Sequence, residues 1–253
     1  MQYERGARVS TFSNQVTESM ETLMSTAWKE IASTTVPKTA DVALKNGAVR
    51  LEAAYVYADL GQSTLLQKNF KDWFAAQVIR MYLNGTSQII RNNGGSIKSF
   101  DGDRVMGIFV GDNKRNIATK TALQINWLVS QCINPIIKER LKDQTTQWTV
   151  THGVGVDVGE ALITRAGVRN ATGETTHNDL ISVGRSPNIA AKLSAIRDLG
   201  AGSIVITNDV HSYLNEPQLV GGTDQTPMWT GSYTRAIGPY TLPLYASTWY
   251  WEP

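Results

Sequence analysis

The sequence predicts a mixed α/β or α+β domain with a helical extension at its N-terminus, and three observations carry that expectation. Strand-like and helix-like segments alternate from about residue 49 onward, without internal repeats. Two short acidic segments, Tyr57-Ala58-Asp59-Leu60-Gly61 and Phe100-Asp101-Gly102-Asp103-Arg104, are each lodged in an apolar run, which sets carboxylates at strand ends or turns. A chain of 253 residues with 42% hydrophobic content can bury an ordinary globular core.

Met20, Leu23, Met24, Ala27, Trp28 and Ile31 recur at three- and four-residue steps and predict an amphipathic helix, packed on its own domain or paired with a second copy. Residues 33 to 47, with Pro37, Asn46 and Gly47, read as a connector. The expected division is therefore 1–47 as extension and connector and 48–253 as the main domain. Val49 to Asp59 is strand-like, and from Thr64 to about Arg91 the apolar residues fall at helical spacing. After the turn Asn92-Asn93-Gly94-Gly95, Ile97 to Phe100 and Val105 to Val110 read as hairpin arms, with Gly102 at the reversal. Ile117 to Leu141 predicts a second long helix that Pro135 kinks or divides. Trp148 to Ile163 is a strand by alternation, 164 to 178 a loop, Asn188 to Asp198 a helix and Ser203 to Thr207 a strand. Asn208 to Leu214 is a short helix, and the tail from Trp229 to Tyr250 is β-like.

Composition narrows the classes of partner. Lys and Arg number 24 against 22 Asp and Glu, a net charge of +2 with no basic block, so neither nucleic acid nor a membrane surface is an expected partner. No apolar stretch approaches the ~20 residues needed to span a bilayer. Met1-Gln2-Tyr3-Glu4-Arg5 leads into polar residues rather than a signal-peptide apolar region, and a soluble cytoplasmic protein is expected. The single Cys132 excludes an internal disulfide and a Cys-based zinc cluster and is expected in the core. His152, His177 and His211 match no metal spacing and read as structural or surface residues, with His177 the outside candidate because its loop precedes the late motif.

Asp59 precedes Leu60-Gly61-Gln62-Ser63-Thr64, a strand-loop-helix junction where a carboxylate meets free backbone N–H groups; it suits Mg²⁺ bound to phosphates, or simply ends a strand beside a helix cap. Asp103 is bracketed by Phe100, Val105 and Met106, and an Asp-Gly hairpin turn is also commonly structural. Asn188 and Lys192, four apart, project from one helix face while Ile189, Leu193 and Ile196 pack behind. An amide and an ammonium so placed can orient a ribose and neutralise a pentavalent phosphorus, or form a solvated face.

Together with Val183-Gly184-Arg185-Ser186-Pro187-Asn188-Ile189-Ala190-Ala191-Lys192-Leu193, the two acidic segments resemble the class III nucleotidyl cyclases, the family of adenylate and guanylate cyclase catalytic domains. The resemblance covers roughly residues 50 to 247, and Gly155-Val156-Asp157-Val158-Gly159-Glu160 looks like the family's central strand and turn. It implies an α+β fold with a ferredoxin-like, palm-type antiparallel sheet flanked by helices. It further implies two Mg²⁺ or Mn²⁺ ions at Asp59, Leu60 and Asp103, and triphosphate contacts from Gly61, Ser63 and Thr64. Asn188 is implied to position the ribose, and Lys192 to stabilise the transition state where the family usually has Arg. Lys keeps the charge and loses the bidentate fork. By the same resemblance the protein is a homodimer in which one subunit supplies the metal acids and the other supplies Asn188 and Lys192. The chain departs from the family at Gln62 and Ser63, where Gly-Phe is usual, and near Gly238-Pro239-Tyr240, which lacks the phosphate-binding lysine; Arg235 is the substitute there.

At the base-reading positions the chain carries Ser99 and Ile181, neither of which can read a purine edge in the usual way. Tyr57 lies two residues before Asp59 on the same strand face, and Arg104 follows Asp103 where a small residue is normal. A phenol and a long donor would shorten the pocket and suit a ring whose carbonyl accepts hydrogen bonds; the other reading is that Tyr57 belongs to the core and Arg104 is an exposed strand residue. This pattern is similar to the bacterial pyrimidine cyclases of Pycsar antiphage systems. It implies that UTP, or CTP, is converted to the 3′,5′-cyclic nucleotide and pyrophosphate, and that a separate effector protein reads the product. An adenylate or guanylate cyclase, with Ser99 and Ile181 on the base, is the first competing reading; a non-catalytic nucleotide-sensing domain is the second, and it would predict loss of a metal acid.

Overall fold

The computed structural model describes residues 3–169, 175–199 and 204–253. The chain divides into two compact units, Met1–Ser33 with Pro37–Leu51 and Leu162–Val183, and Thr34–Val36 with Glu52–Ala161 and Gly184–Pro253.

The smaller unit holds helix α1 (Tyr3–Ser25), strand β1 (Lys29–Ala32), the start of β2 (Gly47–Gly61), the end of β5 (Thr151–Arg169) and β6 (Thr175–Val183). The stripe expected to be one helix through Ile31 is cut at Ser25. Lys29 to Ala32 instead pairs in parallel with Gly47 to Arg50, committing to a ladder the backbone groups a helix would have used. On α1 itself Phe12, Val16, Met20, Leu23 and Met24 are exposed. Between β1 and β2 the described residues hold a short 3₁₀ turn, Thr39–Asp41, and Gly47, expected in the connector, is already the first residue of β2. The expected loop from 164 to 178 is corrected as well: β5 continues to Arg169 and pairs antiparallel with β6, from Leu162↔Val183 to Arg169↔Thr175. Pairing overrides a Gly-, Thr- and Asn-rich composition here, since strand preference depends more on context than on the residue; residues 170–174 of that expectation lie outside the described residues. Thr164 Oγ1 donates to the Gly47 carbonyl at 2.8 Å within this unit.

The larger unit is built on a sheet in the order β10 (Thr230–Ile237), β11 (Tyr240–Ser247), β7 (Ile204–Thr207), β5, β2, β4 (Arg104–Phe109) and β3 (Ser96–Asp101). The β10–β11, β11–β7, β2–β4 and β3–β4 ladders are antiparallel, and β5 with β7 is parallel. Alternation along β2 and β5 decides what each face does. Ala54, Val56, Ala58 and Leu60, with Val154, Val156 and Val158, enter one apolar cluster with Val78, Tyr82 and Ile90 of α3 (Asp72–Asn92) and Leu123 of α4 (Lys114–Trp127). On a second cluster, Ile189 and Leu193 of α6 (Arg185–Leu193) meet Val205, Leu244 and Ala246.

Both long helices are divided. The first breaks into α2 (Ser63–Asn69) and α3, because Phe70 and Lys71 are extended; the Phe70 ring lies tilted against Phe74 with centroids 4.8 Å apart, and Asp72 supplies the acid favoured in a first helical turn. The second runs through α4, a π-helical segment at Leu128–Ile133 and α5 (Asn134–Arg140). Pro135 lies in the first turn of α5, and its missing N–H deprives the preceding turn of a regular bond, which accounts for the wider ladder there. Cys132 lies in this segment and is half-buried rather than in the core. Short elements complete the unit: α7 (Asn208–His211), α8 (Glu216–Leu219), β8 (Val220–Gly221) and β9 (Thr226–Pro227).

Helix α6 lies directly on a glycine stripe of β5. A Cβ on Gly155 would stand 2.1 Å from the Ala190 carbonyl oxygen and 2.5 Å from the Ser194 nitrogen, and one on Gly159 would meet Ser186 Oγ at 2.5 Å. Gly155→Ala must therefore displace backbone, and urea denaturation is expected to show a loss of about 1–3 kcal/mol, the range for overpacking a well-filled site. An unchanged midpoint would mean that α6 can move away without cost.

Candidate active site

Cross-strand partners share a sheet face, so the register defines the site. Asp59 is opposite Arg104 and Tyr57 opposite Met106, while Arg104 and Met106 are in turn opposite Asp101 and Ser99 of β3. Tyr57, Asp59, Ser99, Asp101, Arg104 and Met106 therefore form one surface, on the side of β2 away from Val56 and Ala58. Gly102 turns the chain between β3 and β4 with φ of 61°, a conformation that favours glycine. Asp103 follows it, and its carbonyl accepts the Leu60 N–H at 3.4 Å. The two acids expected to act together are thus neighbours at the end of the β2–β4 pair.

Asp59 is 8% exposed, and both of its oxygens are engaged. Arg104 Nε donates to Oδ1 at 2.7 Å, and Arg197 Nη2 donates to Oδ2 at 3.1 Å. Tyr57 is half-buried; burial pushes its phenol above the usual range, Asp101 adds to the rise and Arg104 opposes it, so the group is a neutral O–H donor at pH 7. Beyond Asp59, Gly61 is packed so closely on Thr151 that a Cβ would meet its Oγ1 at 2.4 Å. Gln62 takes a left-handed conformation, φ 59°, which is costly for a residue with a side chain and marks a tightly constrained loop. Ser63 begins α2 half-buried, and Thr64 is exposed.

Asn188 and Lys192 stand exposed on α6, as their spacing predicts. Asn188 Nδ2 donates to the Gly184 carbonyl at 2.9 Å, and Lys192 Nζ lies 3.2 Å from where a Gly238 Cβ would be. An ammonium does reach the Gly238 turn, contributed by α6. Arg235, the expected substitute, is paired with Asp198 at 3.0 Å. Among the described residues no hydrogen bond or ion pair joins Asn188 or Lys192 to Asp59 or Asp103. Ile181 is 46% exposed on β6, in the smaller unit.

Of the histidines, His152 is buried at the start of β5, with Nε2 at 2.9 Å from Asn126 Oδ1; burial, and secondarily Arg197, depress its pKa to about 3 and keep it neutral. His211 stacks on Tyr245 with ring centroids 3.6 Å apart. His177 lies on β6 opposite Val168. Asp157 is fully buried; Thr207 Oγ1 donates to it at 2.5 Å, and burial raises its pKa. Arg197 and Asp101 escaped the sequence reading. Asp101 could have been found from hairpin register, whereas nothing along the chain connects Arg197 with an acid 138 positions away.

Could this site hold divalent cations? Asp59 and Asp103 offer hard carboxylate oxygens on adjoining backbone, joined through the Leu60 N–H and the Asp103 carbonyl, and the guanidiniums already on Asp59 show that positive charge is stabilised there. No cluster of three or more His, Cys, Asp or Glu side chains suited to a metal occurs among the described residues. One or two carboxylates completed by substrate phosphates and water is a usual arrangement for Mg²⁺, so the donor set fits.

No family model matches the chain. Curated relatives do. The uridylate cyclase of Rhodovulum sp. (strain MB263) is 36% identical over 192 residues, covering 76% of this chain and 77% of that protein. The uridylate cyclase of Burkholderia cepacia is 37% identical over 227 residues, 88% of this chain and 91% of that protein. The chain belongs to the uridylate cyclase family. As a member it is a nucleotidyl cyclase, and the class III resemblance seen in its motifs is borne out. The fold agrees with this: the guanylyl cyclase Cya2 aligns with a TM-score of 0.64 over 81% of this chain and 95% of that one, at 15% identity, a likeness of fold alone. The mixed α+β architecture with a mostly antiparallel sheet is therefore that of the cyclase domains. Among the described residues of this uridylate cyclase family member, no helix is long and apolar enough to cross a membrane.

Proposed function

We propose that the protein converts UTP, or by the same chemistry CTP, to the 3′,5′-cyclic monophosphate and pyrophosphate in a homodimer with two composite sites. The observation that carries this reading is the shared face of Tyr57, Asp59 and Arg104, which sets two hydrogen-bond donors beside a metal-type carboxylate. Arg104 uses only Nε on Asp59, leaving the N–H groups of both Nη atoms for a pyrimidine carbonyl. The neutral Tyr57 phenol offers a second donor, and Ser99 on the same face is too short to take the place of a purine reader.

In this reading Asp59 and Asp103, with Leu60, hold two Mg²⁺ or Mn²⁺ ions, and Gly61, Ser63 and Thr64 lie along the triphosphate. When bound, the ions neutralise the triphosphate and lower the pKa of the ribose 3′-hydroxyl. Asn188 of one subunit orients the ribose in the partner's site. The 3′-oxygen, its proton lost to solvent, forms a bond to the α-phosphorus as the bond to the β-phosphate oxygen breaks and pyrophosphate leaves. Lys192 steadies the charge that builds on the equatorial oxygens. Both residues are exposed on α6 and bonded to neither acid of their own chain, which suits donation across a dimer. The catalytic domain spans 48–253 in this reading, with 1–47 as an extension. The product serves as a cytoplasmic second messenger, read by a separate effector in bacterial antiphage defence, as the Pycsar resemblance implies.

The test is product analysis with each of UTP, CTP, ATP and GTP, with Mg²⁺ and with Mn²⁺, followed by kcat/KM for two variants. A missing donor opposite a buried carbonyl costs about 1–3 kcal/mol, so Arg104→Ala is expected to lower kcat/KM for UTP by about 5- to 150-fold without creating a good purine cyclase. Tyr57→Phe, which leaves Asp59 and its partners untouched, should shift the same constant in the same direction. Preference of the wild type for ATP or GTP, or UTP kinetics indifferent to both substitutions, would return the protein to the purine cyclases.

A further inference from the structure

Asp59 carries a cation on each oxygen, and the two cations reach it differently. Arg104 is delivered by strand register. Arg197 comes from beyond the C-terminal end of α6, where its Nη1 donates to the carbonyls of Ser194 and, at 3.1 Å, Ile196. Space for it is made by Gly153, where a Cβ would lie 2.1 Å from Arg197 Nη1. Beside the pair lies a cavity of about 610 Å³, walled in part by Arg197 itself, Gln62, Asn126, Ser130, Asn134 and His152.

Arg104 alone already balances the charge of Asp59; the second guanidinium adds a positive charge to a carboxylate with no third oxygen to offer. A divalent ion on Oδ2 would stand within a few ångströms of the Arg197 guanidinium, and two like charges so close, beside a carboxylate that is itself buried, repel. We infer that Arg197 is a displaceable counter-ion of Asp59, a positioning residue that sets how tightly the site takes a divalent cation and that holds Asp59 against the C-terminal end of α6 until one arrives. This rests on the reading of Asp59 as a metal ligand. In the metal-free protein Arg197 fills the second oxygen of a buried carboxylate whose charge Arg104 already offsets.

The measurement is Mn²⁺ binding to the full chain without nucleotide, by electron paramagnetic resonance of free Mn²⁺, for wild type, Arg197→Gln, Arg197→Lys and Asp59→Asn, with circular dichroism confirming the fold of each. Arg197→Gln is expected to tighten Mn²⁺ binding about tenfold or more. Arg197→Lys, which keeps the charge on a thinner, more mobile head, should stay within about threefold of wild type, and Asp59→Asn should lose binding. A merely structural arginine would give unchanged or weaker binding in Arg197→Gln; that result, with Asp59→Asn deficient, overturns the role of Arg197 and leaves the metal site standing. Wild-type binding in Asp59→Asn removes both the metal assignment and this inference. If Arg197→Gln does not fold, Arg197→Met, which keeps the length of the stem, is read in its place with the same expected tightening and the same overturning result.

Discussion

Asp103→Ala is expected to abolish turnover while leaving the fold intact. Asp103 follows the Gly102 turn, is half-buried, and is tied to the sheet through its backbone carbonyl rather than its side chain, so truncation removes the proposed metal oxygen and little packing. Asp59→Ala is a less clean experiment, because it leaves the guanidiniums of Arg104 and Arg197 facing each other with no acid between them. Steady-state assays with UTP and Mn²⁺ decide the matter for Asp103→Ala. Residual activity above about a tenth of wild type, a barrier change under ~1.4 kcal/mol, would be too small for loss of a catalytic metal ligand.

The second large effect is a recovery. Asp103→Ala and Asn188→Ala, each inactive alone, should regain activity when mixed. In the proposed dimer a mixed pair has one site with both defects, and another that combines an intact Asp103 with an intact Asn188 from the opposite chain. Random exchange makes half the dimers mixed, each with one working site of two, so about a quarter of wild-type activity should return. Subunit exchange is followed separately, by native mass spectrometry of differently tagged chains. Exchange without recovered activity would confine the active site to a single chain.

Much of the fold was legible because periodicity is a local signal. Val154, Val156 and Val158 alternate with residues that face α6, and the hairpin around Gly102 follows from one glycine between two apolar arms. What escaped depended on partners distant in sequence. Nothing local separates Trp28 and Ile31 from the helical stripe before them; pairing of the neighbouring backbone with β2 ends the helix. The stretch after Ile163 looked like a loop by composition, and becomes strand through its pairing with β6. Within the site, Tyr57, Asp59, Asp103 and Arg104 are brought together as their positions on neighbouring strands suggest. Arg197 was invisible because its significance lies in a reach across the fold, made possible by the missing side chain of Gly153.

Strand β2 also acts as a counting device. Its odd-numbered residues from Ala53 to Asp59 lie on one side and its even-numbered residues from Ala54 to Leu60 on the other, so apolar support and chemistry are written into a single ribbon and kept apart only by parity. Exchanging one small apolar residue for another along it leaves that parity alone. Removing or adding a single residue between Ala53 and Ala58 does not: every later side chain changes sides, Asp59 leaves the face it shares with Tyr57, and Leu60 on removal, or Ala58 on addition, takes its place opposite Arg104. The segment therefore tolerates changes of spelling far better than changes of length.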